Sequence, residues 1–306
     1  MRSLRSAAVF TLFLGGLAGA HGCASFEQVA KAGTSFARSQ GVVTETQAQS
    51  IVKTTSAVAK TFEDITPEQE YYIGRTVGAV IVSRYKPYAN AEANNYLNLL
   101  GQTLAQASDR PETFGGYHFL ILDSGEINAF AAPGGLIFVS RGMLRLCRSE
   151  DAVAAVLAHE IGHVQLRHGL QSIDKSRLTQ ALTTIAAESA KTMGSKEIAD
   201  LTRAFEGSIT DITATMINNG YSRSFEREAD AAAVSILSRV GYDPEGLVAM
   251  LGEMEKNLKP GGLDFAKTHP SPKSRIDDIR SLNVGGKAAR VVAARQARFH
   301  KALGNI

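Results

Sequence analysis

The chain has 306 residues, of which 44% are hydrophobic and 21% are charged, and its formal net charge is +3. A chain of this length can bury one good core, so a single domain of about 200 to 250 residues with appendages is expected. The composition argues against wholesale disorder, and so small a net charge excludes the basic surface that recruits nucleic acid.

The first residues are typical of a secretory signal. A basic start is followed by an uncharged stretch from Ala7 to Ala20, which is too short to span a bilayer comfortably. We therefore predict a signal peptide over residues 1–22 and a mature chain without a transmembrane span.

This signal can end in two ways. The segment Ala20-His21-Gly22-Cys23 resembles a bacterial lipoprotein box, in which Cys23 would be lipidated and anchored to the outer membrane on the periplasmic side of the envelope. Alternatively, Ala18-Gly19-Ala20 suits ordinary signal cleavage, which would leave a soluble periplasmic protein. A lipidated Cys23 would leave Cys147, the other cysteine, without a partner, so no structural disulfide is expected. Cys147 also has no neighbour of metal-ligand spacing, and we predict that it is a small core residue.

Residues 23–65 are predicted to form a tether or a helical arm. The first clear signal of regular secondary structure comes at Thr66. The segment Thr66-Pro67-Glu68-Gln69 combines a capping side chain, a proline and a capping-box glutamine, and so predicts the start of a helix. A second helix is expected from about Asn90 to Ala107. The main domain is predicted to cover residues 66–285.

Two extended runs follow these helices. They are Tyr117–Leu122 and Leu136–Ser140, and the glycine-rich turn Pro133-Gly134-Gly135 opens the second run. Short strands between helices predict a small antiparallel sheet. The expected fold class is therefore α+β and mostly helical.

The second half of the chain is helical in character. Ser149 caps a helix that is expected to run to about Arg167, and another is predicted for Ser222–Arg239. Residues 171–220 form an amphipathic insert, which is interpreted either as a lid over a cleft or as an ordinary helical subdomain. The last segment, 286–306, is predicted to form a basic surface helix.

The segment His159-Glu160-Ile161-Gly162-His163 carries the clearest chemistry. Because residues four apart project from one face of a helix, His159 and His163 can reach one ion. Catalytic zinc keeps three protein ligands and an open position for water, and Glu160 would lie beside the metal as general base on that water. His168, five residues after His163, is expected to face elsewhere. A helix with two solvated histidines is the alternative, since so short a pattern also arises by chance.

A third ligand is expected from a second helix. Glu226 and Asp230 are again four apart, so one carboxylate can bind the metal while the other accepts the N–H of a ligating imidazole. Taken alone, this segment would be a solvated salt-bridge face, because Arg223 and Arg227 intervene. Together the two helices predict one zinc ion per chain.

Four ordered motifs resemble the zinc peptidase family that includes HtpX, BepA and the CAAX prenyl proteases. They are His159-Glu160-Ile161-Gly162-His163, Tyr221-Ser222-Arg223 with Glu226 and Asp230, Thr268-His269-Pro270-Ser271-Pro272 with Arg275, and Asn128-Ala129-Phe130-Ala131-Ala132-Pro133-Gly134-Gly135. The resemblance covers about residues 66–282 and implies a zincin-like fold in which the small sheet packs on the metal-binding helix. Compared with BepA-like relatives, the chain resembles a minimal form without a repeat domain.

The resemblance also implies roles by position. Glu226, rather than Glu228, would be the third zinc ligand, and Asp230 would be the partner of His159. His269 would approach the metal, either as a fourth ligand in a resting state or as a donor to the developing oxyanion.

Two further implications concern the substrate. Arg275 would help to hold the substrate or its oxyanion. The strip from Asn128 to Val139 would be an edge strand, to which an extended polypeptide adds by backbone pairing.

These predictions favour a zinc-dependent endopeptidase of the bacterial envelope that cleaves unfolded or misassembled proteins. Two other classes stay open: a chaperone-like binding module with latent protease activity, and a structural lipoprotein whose metal staples helices together. The change Glu160→Gln separates the first two, because it removes the base and spares the ligands. A closed four-ligand site, with His269 permanently bound, would favour the third.

Overall fold

The structure is a computed structural model, and it describes residues 65–173, 206–257, 269, 272–281 and 293–306. The chain separates into two compact units, Met1–Ile65 and Thr66–Ile306. The predicted signal peptide, Cys23 and the tether up to residue 64 lie outside the described residues and stay predictions.

Two helices open the second unit. Helix α1 (Pro67–Arg84) begins at the predicted capping box, in which the Thr66 hydroxyl accepts the N–H of Gln69 and the Gln69 side chain accepts the N–H of Thr66. Helix α2 (Ala91–Gln106) begins at Asn90, whose side chain accepts the N–H of Ala93. Both starts therefore follow from local capping chemistry.

The sheet has three strands, β1 (His118–Leu122), β2 (Ala129–Ala132) and β3 (Leu136–Ser140), in the order β1-β3-β2. Strand β3 pairs in parallel with β1 and antiparallel with β2. The predicted antiparallel pairing of the two extended runs is therefore wrong, and the sheet is mixed. After β1 the chain crosses to form β2 on the far side, and the turn Pro133–Gly135 returns it between the other two strands as β3.

The same topology corrects the predicted edge strand. The strip from Asn128 to Val139 is a hairpin rather than one strand, so β2 lies at the edge and β3 in the centre. The opposite edge, formed by β1, is closed by side chains of α2. The Asn98 amide pairs with both backbone groups of Phe119 at 2.6 and 3.0 Å, and Asn94 accepts the N–H of Ile121 at 3.0 Å.

Beyond the sheet, the described helices are α3 (Arg141–Leu146), α4 (Glu150–Gln165), α5 (His168–Gln171), α6 (Glu206–Ala214), α7 (Arg223–Arg239), α8 (Glu245–Asn257), α9 (Pro272–Ser281) and α10 (Ala293–Leu303). A π-helical turn, Thr215–Asn219, continues α6, which packs on α1. Residues 174–205 of the insert lie outside the described part, so its predicted role as a lid stays a prediction. No helix in the described ranges is both long and apolar enough to cross a membrane.

Helix α4 runs through the middle of the core. Every residue from Ala152 to Val164 is buried, so the helix is enclosed on all sides. It packs against α2, β2, α7 and α8. At its crossing with α7, a Cβ on Gly162 would lie 2.9 Å from the carbonyl oxygen of Ala229, so glycine permits the close approach of these two helices.

Helix α10 is less of a surface helix than its basic sequence predicts. Phe299 and Leu303 are buried in the core. Arg298 donates two hydrogen bonds to the buried carboxylate of Glu150, at 2.6 and 3.1 Å. The positive charge of α10 therefore pairs with an acidic residue in the first turn of α4.

The structure confirms the predicted core position of Cys147. Its side chain is buried, and its thiol donates to the carbonyl oxygen of Met143 at 3.6 Å. Burial raises the pKa of this thiol to about 12. Cys147 is therefore a packed and unreactive residue.

Glu70 ties α1 to the turn that joins β2 and β3. Its buried carboxylate accepts two hydrogen bonds from Arg110, at 2.8 and 2.9 Å, and the N–H of Gly134 at 3.2 Å. One turn further along α1, a Cβ on Gly74 would overlap the carbonyl oxygen of Pro133. The hairpin can lie against α1 because Gly74 has no side chain.

We predict opposite effects for two glycine-to-alanine changes. Gly74→Ala should lower the free energy of unfolding by about 3 kcal/mol, because a backbone oxygen occupies the space of the new methyl group. Gly252→Ala, in α8, should raise it by about 0.5–1 kcal/mol, because nothing lies within 4 Å of the added Cβ. Urea unfolding of both variants checks the prediction, and equal midpoints would contradict it.

Candidate metal centre

Helix α4 presents two histidines and a glutamate side by side. His159, Glu160 and His163 are each 1% exposed. The Nε2 atoms of His159 and His163 are 3.1 Å apart, which confirms that residues four apart on this helix point to one place. Glu160 projects from the next position around the helix.

Helix α7 brings Glu226 to the same place. The side chain of Ser222 caps α7, so Glu226 lies in its first turn. The Glu226 Oε2 atom is 3.6 Å from His159 Nε2, and the Oε1 atom is 3.4 Å from His163 Nε2. Glu228, which the sequence analysis sets aside as a ligand, is half exposed and points away from these atoms.

His269 completes a group of four. Its Nδ1 atom lies 2.7 and 2.8 Å from the two carboxylate oxygens of Glu226. One ligand atom from each of His159, His163, Glu226 and His269 lies within 4.8 Å of the others. The structure thus brings together all three residues predicted to be metal ligands and the predicted fourth candidate.

The spacing of these atoms fits a metal ion. Tetrahedral zinc with ligands at about 2.0–2.1 Å places neighbouring ligand atoms about 3.3–3.4 Å apart. The separations of 3.1, 3.4 and 3.6 Å among His159, His163 and Glu226 bracket that value. The contact of His269 with Glu226 is shorter and has the length of a hydrogen bond.

Asp230 and Arg275 support the group from the side of His159. Asp230 Oδ1 is 2.9 Å from His159 Nδ1, as predicted for a residue that fixes this imidazole. The Arg275 guanidinium donates to both oxygens of Asp230, at 2.6 and 2.9 Å, and lies 3.3 Å from Glu226 Oε2. Arg275 is only 2% exposed and supports both carboxylates, and its predicted role in holding the substrate or its oxyanion stays a prediction.

The charge states suit metal ligands, which must be deprotonated. Burial lowers the pKa of His163 and of His269, which favours neutral imidazoles. Burial alone would raise the pKa of Glu226 and of Asp230. For Glu226, the neighbouring His269 and Arg275 outweigh burial and hold the pKa well below its usual range, and the charge of Arg275 holds the pKa of Asp230 at about 2.

Glu160 differs from these two carboxylates. Burial raises its pKa to about 7, and the neighbouring His159 opposes that rise only in part. Its Oε1 atom is buried and has no hydrogen-bond partner within the described ranges. The same is true of the hydroxyl of Tyr221, whose ring stacks on His163 with centroids 4.3 Å apart. Two polar atoms beside the group are therefore open to a ligand or to water.

The predicted orientation of His168 is wrong. It does not face elsewhere, because its Nδ1 atom lies 2.9 Å from Nδ1 of His163. Helix α4 ends at Gln165, and Arg167 has a left-handed backbone with φ 57°, which turns the chain back under His163. A spacing of five residues would point to another face only if the helix continued.

We predict that Arg275→Met lowers the free energy of unfolding of the metal-free protein by about 3–5 kcal/mol, because Asp230 and Glu226 lose a buried counter-charge. Arg275→Lys should lose less of this free energy than Arg275→Met but should stay below the parent, because an ammonium group cannot form the bidentate interaction with Asp230. The control Arg280→Met, at an exposed site on α9, should stay within about 0.5 kcal/mol of the parent. Denaturant unfolding with a chelator present measures all three, and a similar loss for both methionine variants would refute the prediction.

The sequence of this chain is similar to those of known proteins. Residues 91–283 match the model of Peptidase family M48. The beta-barrel assembly-enhancing protease of Escherichia coli is 28% identical over 188 residues, which cover 61% of this chain and 38% of that protein. The putative beta-barrel assembly-enhancing protease of Vibrio cholerae is 30% identical over 225 residues, which cover 71% of this chain and 44% of that protein. The mitochondrial metalloendopeptidase OMA1 of Schizosaccharomyces pombe is 34% identical over 163 residues, which cover 50% of this chain and 42% of that protein.

The chain therefore spans less than half the length of these relatives. The family match, however, extends over more than half of the chain and includes every residue of the metal-binding group, from His159 to His269. On this evidence, the chain belongs to peptidase family M48.

Proposed function

We propose that this chain is a zinc-dependent endopeptidase that hydrolyses peptide bonds in unfolded or misassembled proteins of the cell envelope. One observation carries the proposal. The ligand atoms of His159, His163 and Glu226 converge at tetrahedral spacing. Glu160 lies between the two histidines on the same helix, and one of its buried carboxylate oxygens has no hydrogen-bond partner among the described residues. Membership of a peptidase family supports the reaction class.

His159, His163 and Glu226 would hold the zinc ion. When bound, zinc supplies a Lewis acid that polarises the scissile carbonyl group and makes water more acidic. Glu160 has a pKa of about 7, which suits a group that must both accept and return a proton near neutral pH. In this proposal, its carboxylate takes the proton of the attacking water and later delivers it to the leaving amine.

Substrate binding is proposed at the outer edge of β2. Side chains of α2 already close the edge at β1, whereas no strand in the described part of the chain pairs with β2 on its outer side. Strand β2 packs on α4, so an extended polypeptide added there would lie beside the catalytic helix. All four residues of β2 are buried, so a movement that exposes this edge would have to precede substrate binding.

The proposed substrates are unfolded or misassembled proteins of the cell envelope. The relative in Escherichia coli is named for enhancing beta-barrel assembly. The predicted signal peptide and the predicted lipid anchor at Cys23 would place this chain on the periplasmic side of the outer membrane. A chaperone-like binding module with latent protease activity is the second candidate, and the contact between His269 and Glu226 favours it if His269 closes the metal site.

We predict that Glu160→Gln keeps one zinc ion per chain and lowers casein cleavage by roughly 10²–10⁴-fold, because only the base is lost. The control Glu112→Gln changes an exposed glutamate and should cleave casein like the parent. Metal analysis and a casein assay on the chain without residues 1–23 measure both properties. Parent protein without stoichiometric zinc, or a fully active Glu160→Gln variant, would refute the proposal.

We predict that His269→Ala also keeps its zinc, because three ligands suffice for a catalytic site. The direction of the change in cleavage then separates the two roles of His269. Cleavage above the parent rate would mean that the residue closes a latent site, and a fall of about 10²-fold would mean that it stabilises the oxyanion. Loss of zinc from this variant would contradict the three-ligand site.

A further inference from the structure

We propose that His168 and Glu228 form a support that fixes the tautomer and the orientation of His163, the second metal-binding histidine. We call this pair the His168–Glu228 arm. The inference rests on the proposed function of the site, because it concerns how His163 is held for a metal.

The two ring nitrogens of His163 face opposite sides. The Nε2 atom faces the metal-binding group, 3.1 Å from His159 Nε2 and 3.4 Å from Glu226 Oε1. The Nδ1 atom faces away from that group and lies 2.9 Å from Nδ1 of His168. His168 Nε2 in turn lies 3.3 Å from Glu228 Oε2.

The direction of these hydrogen bonds follows from the metal site. An imidazole that offers the Nε2 lone pair to a metal carries its hydrogen on Nδ1, so His163 donates to His168. His168 then accepts at Nδ1 and carries its own hydrogen on Nε2, from which it donates to Glu228. Metal-binding histidines almost always donate their other N–H to a carboxylate, a backbone carbonyl or water, and here an imidazole nitrogen of His168 is the acceptor.

The arm matches the support of His159 on the other side. There the Nδ1 atom of His159 contacts Asp230 directly at 2.9 Å. At His163 the carboxylate is one residue further away, and His168 bridges the gap. Each of the two imidazoles is thus supported by a different carboxylate of α7, His159 by Asp230 and His163, through His168, by Glu228.

His168 is built into this position. It is fully buried, and the ring of Phe225 stacks on it with centroids 4.4 Å apart and planes 6° apart. The first turns of α7 thus supply Glu226 to the metal group and both Phe225 and Glu228 to His168. Because His168 lies behind His163 and outside the group of four ligand atoms, it acts as a positioning residue and not as a further ligand.

The experiment compares zinc affinity across variants of the full chain by competition with a chelator. His168→Leu removes the acceptor and should weaken zinc binding by roughly 10–100-fold. His168→Asn retains an acceptor oxygen close to the position of Nδ1 and should stay within about 3-fold of the parent. Glu228→Leu, at a half-exposed side chain, removes only the far end of the arm and should weaken binding about 3-fold. His118→Leu removes an exposed histidine and is the matched control, expected to change nothing.

A second measurement separates positioning from folding. The visible absorption of the Co²⁺-loaded protein reports the geometry around the metal, and it should shift in His168→Leu while His168→Asn keeps the parent spectrum. Thermal melts of the metal-free variants show whether each one folds. If His168→Leu fails to fold, Glu228→Leu and His168→Asn carry the test.

The outcomes are distinct. Parent-like affinity and spectrum in a folded His168→Leu variant would overturn the arm and leave the proposed function intact. Equal losses in folded His168→Leu and His168→Asn would also overturn it, because the acceptor would then be irrelevant. A parent protein that binds no zinc would overturn the proposed function, and the arm with it.

Discussion

The rest of the site depends on the buried ion pairs that the Arg275 guanidinium forms with Asp230 and Glu226. Two carboxylates, Asp230 and Glu226, lie inside the core, and burying them without a counter-charge would cost several kcal/mol each. Arg275 is 2% exposed and contacts both. It therefore keeps Asp230 ionised to hold His159 and keeps Glu226 ionised to face a metal. A helix far along the chain thus sets the charge state of residues on α7.

The central helix α4 explains why so many polar groups can be buried together. Every residue from Ala152 to Val164 is enclosed, so the polar side chains within that stretch must find partners inside the protein. His159 contacts the carboxylate of Asp230 directly. His163 contacts His168, which in turn contacts the carboxylate of Glu228. Glu160 alone among the three keeps a buried oxygen without a partner in the described ranges, and that difference supports the proposal that it acts as the base.

The two edges of the sheet differ in whether side chains cover their backbone. Side-chain amides of Asn94 and Asn98 pair with the backbone of β1, so that edge cannot accept another strand. The edge of β2 lies beside α4 and has no such cover from side-chain amides in the described part of the chain. The hairpin that forms this edge is held against α1 by Glu70 and by the absence of a side chain at Gly74. The position of the proposed binding edge therefore depends on contacts between α1 and the hairpin.

The sequence by itself determined the features that depend on neighbours along one helix or turn. The capping box at Thr66 and the four-residue spacings of the histidine and carboxylate pairs are local, because helix geometry places those side chains together wherever the helix lies. Only the tertiary structure decided the parallel pairing of β1 with β3 and the place of His168. The first depends on which strand the hairpin inserts beside, and the second on a chain reversal at Arg167 after α4 ends. Residue spacing predicts neither feature, because spacing fixes the direction of side chains only within one helix or strand. Both features arise where an element ends and the chain changes direction.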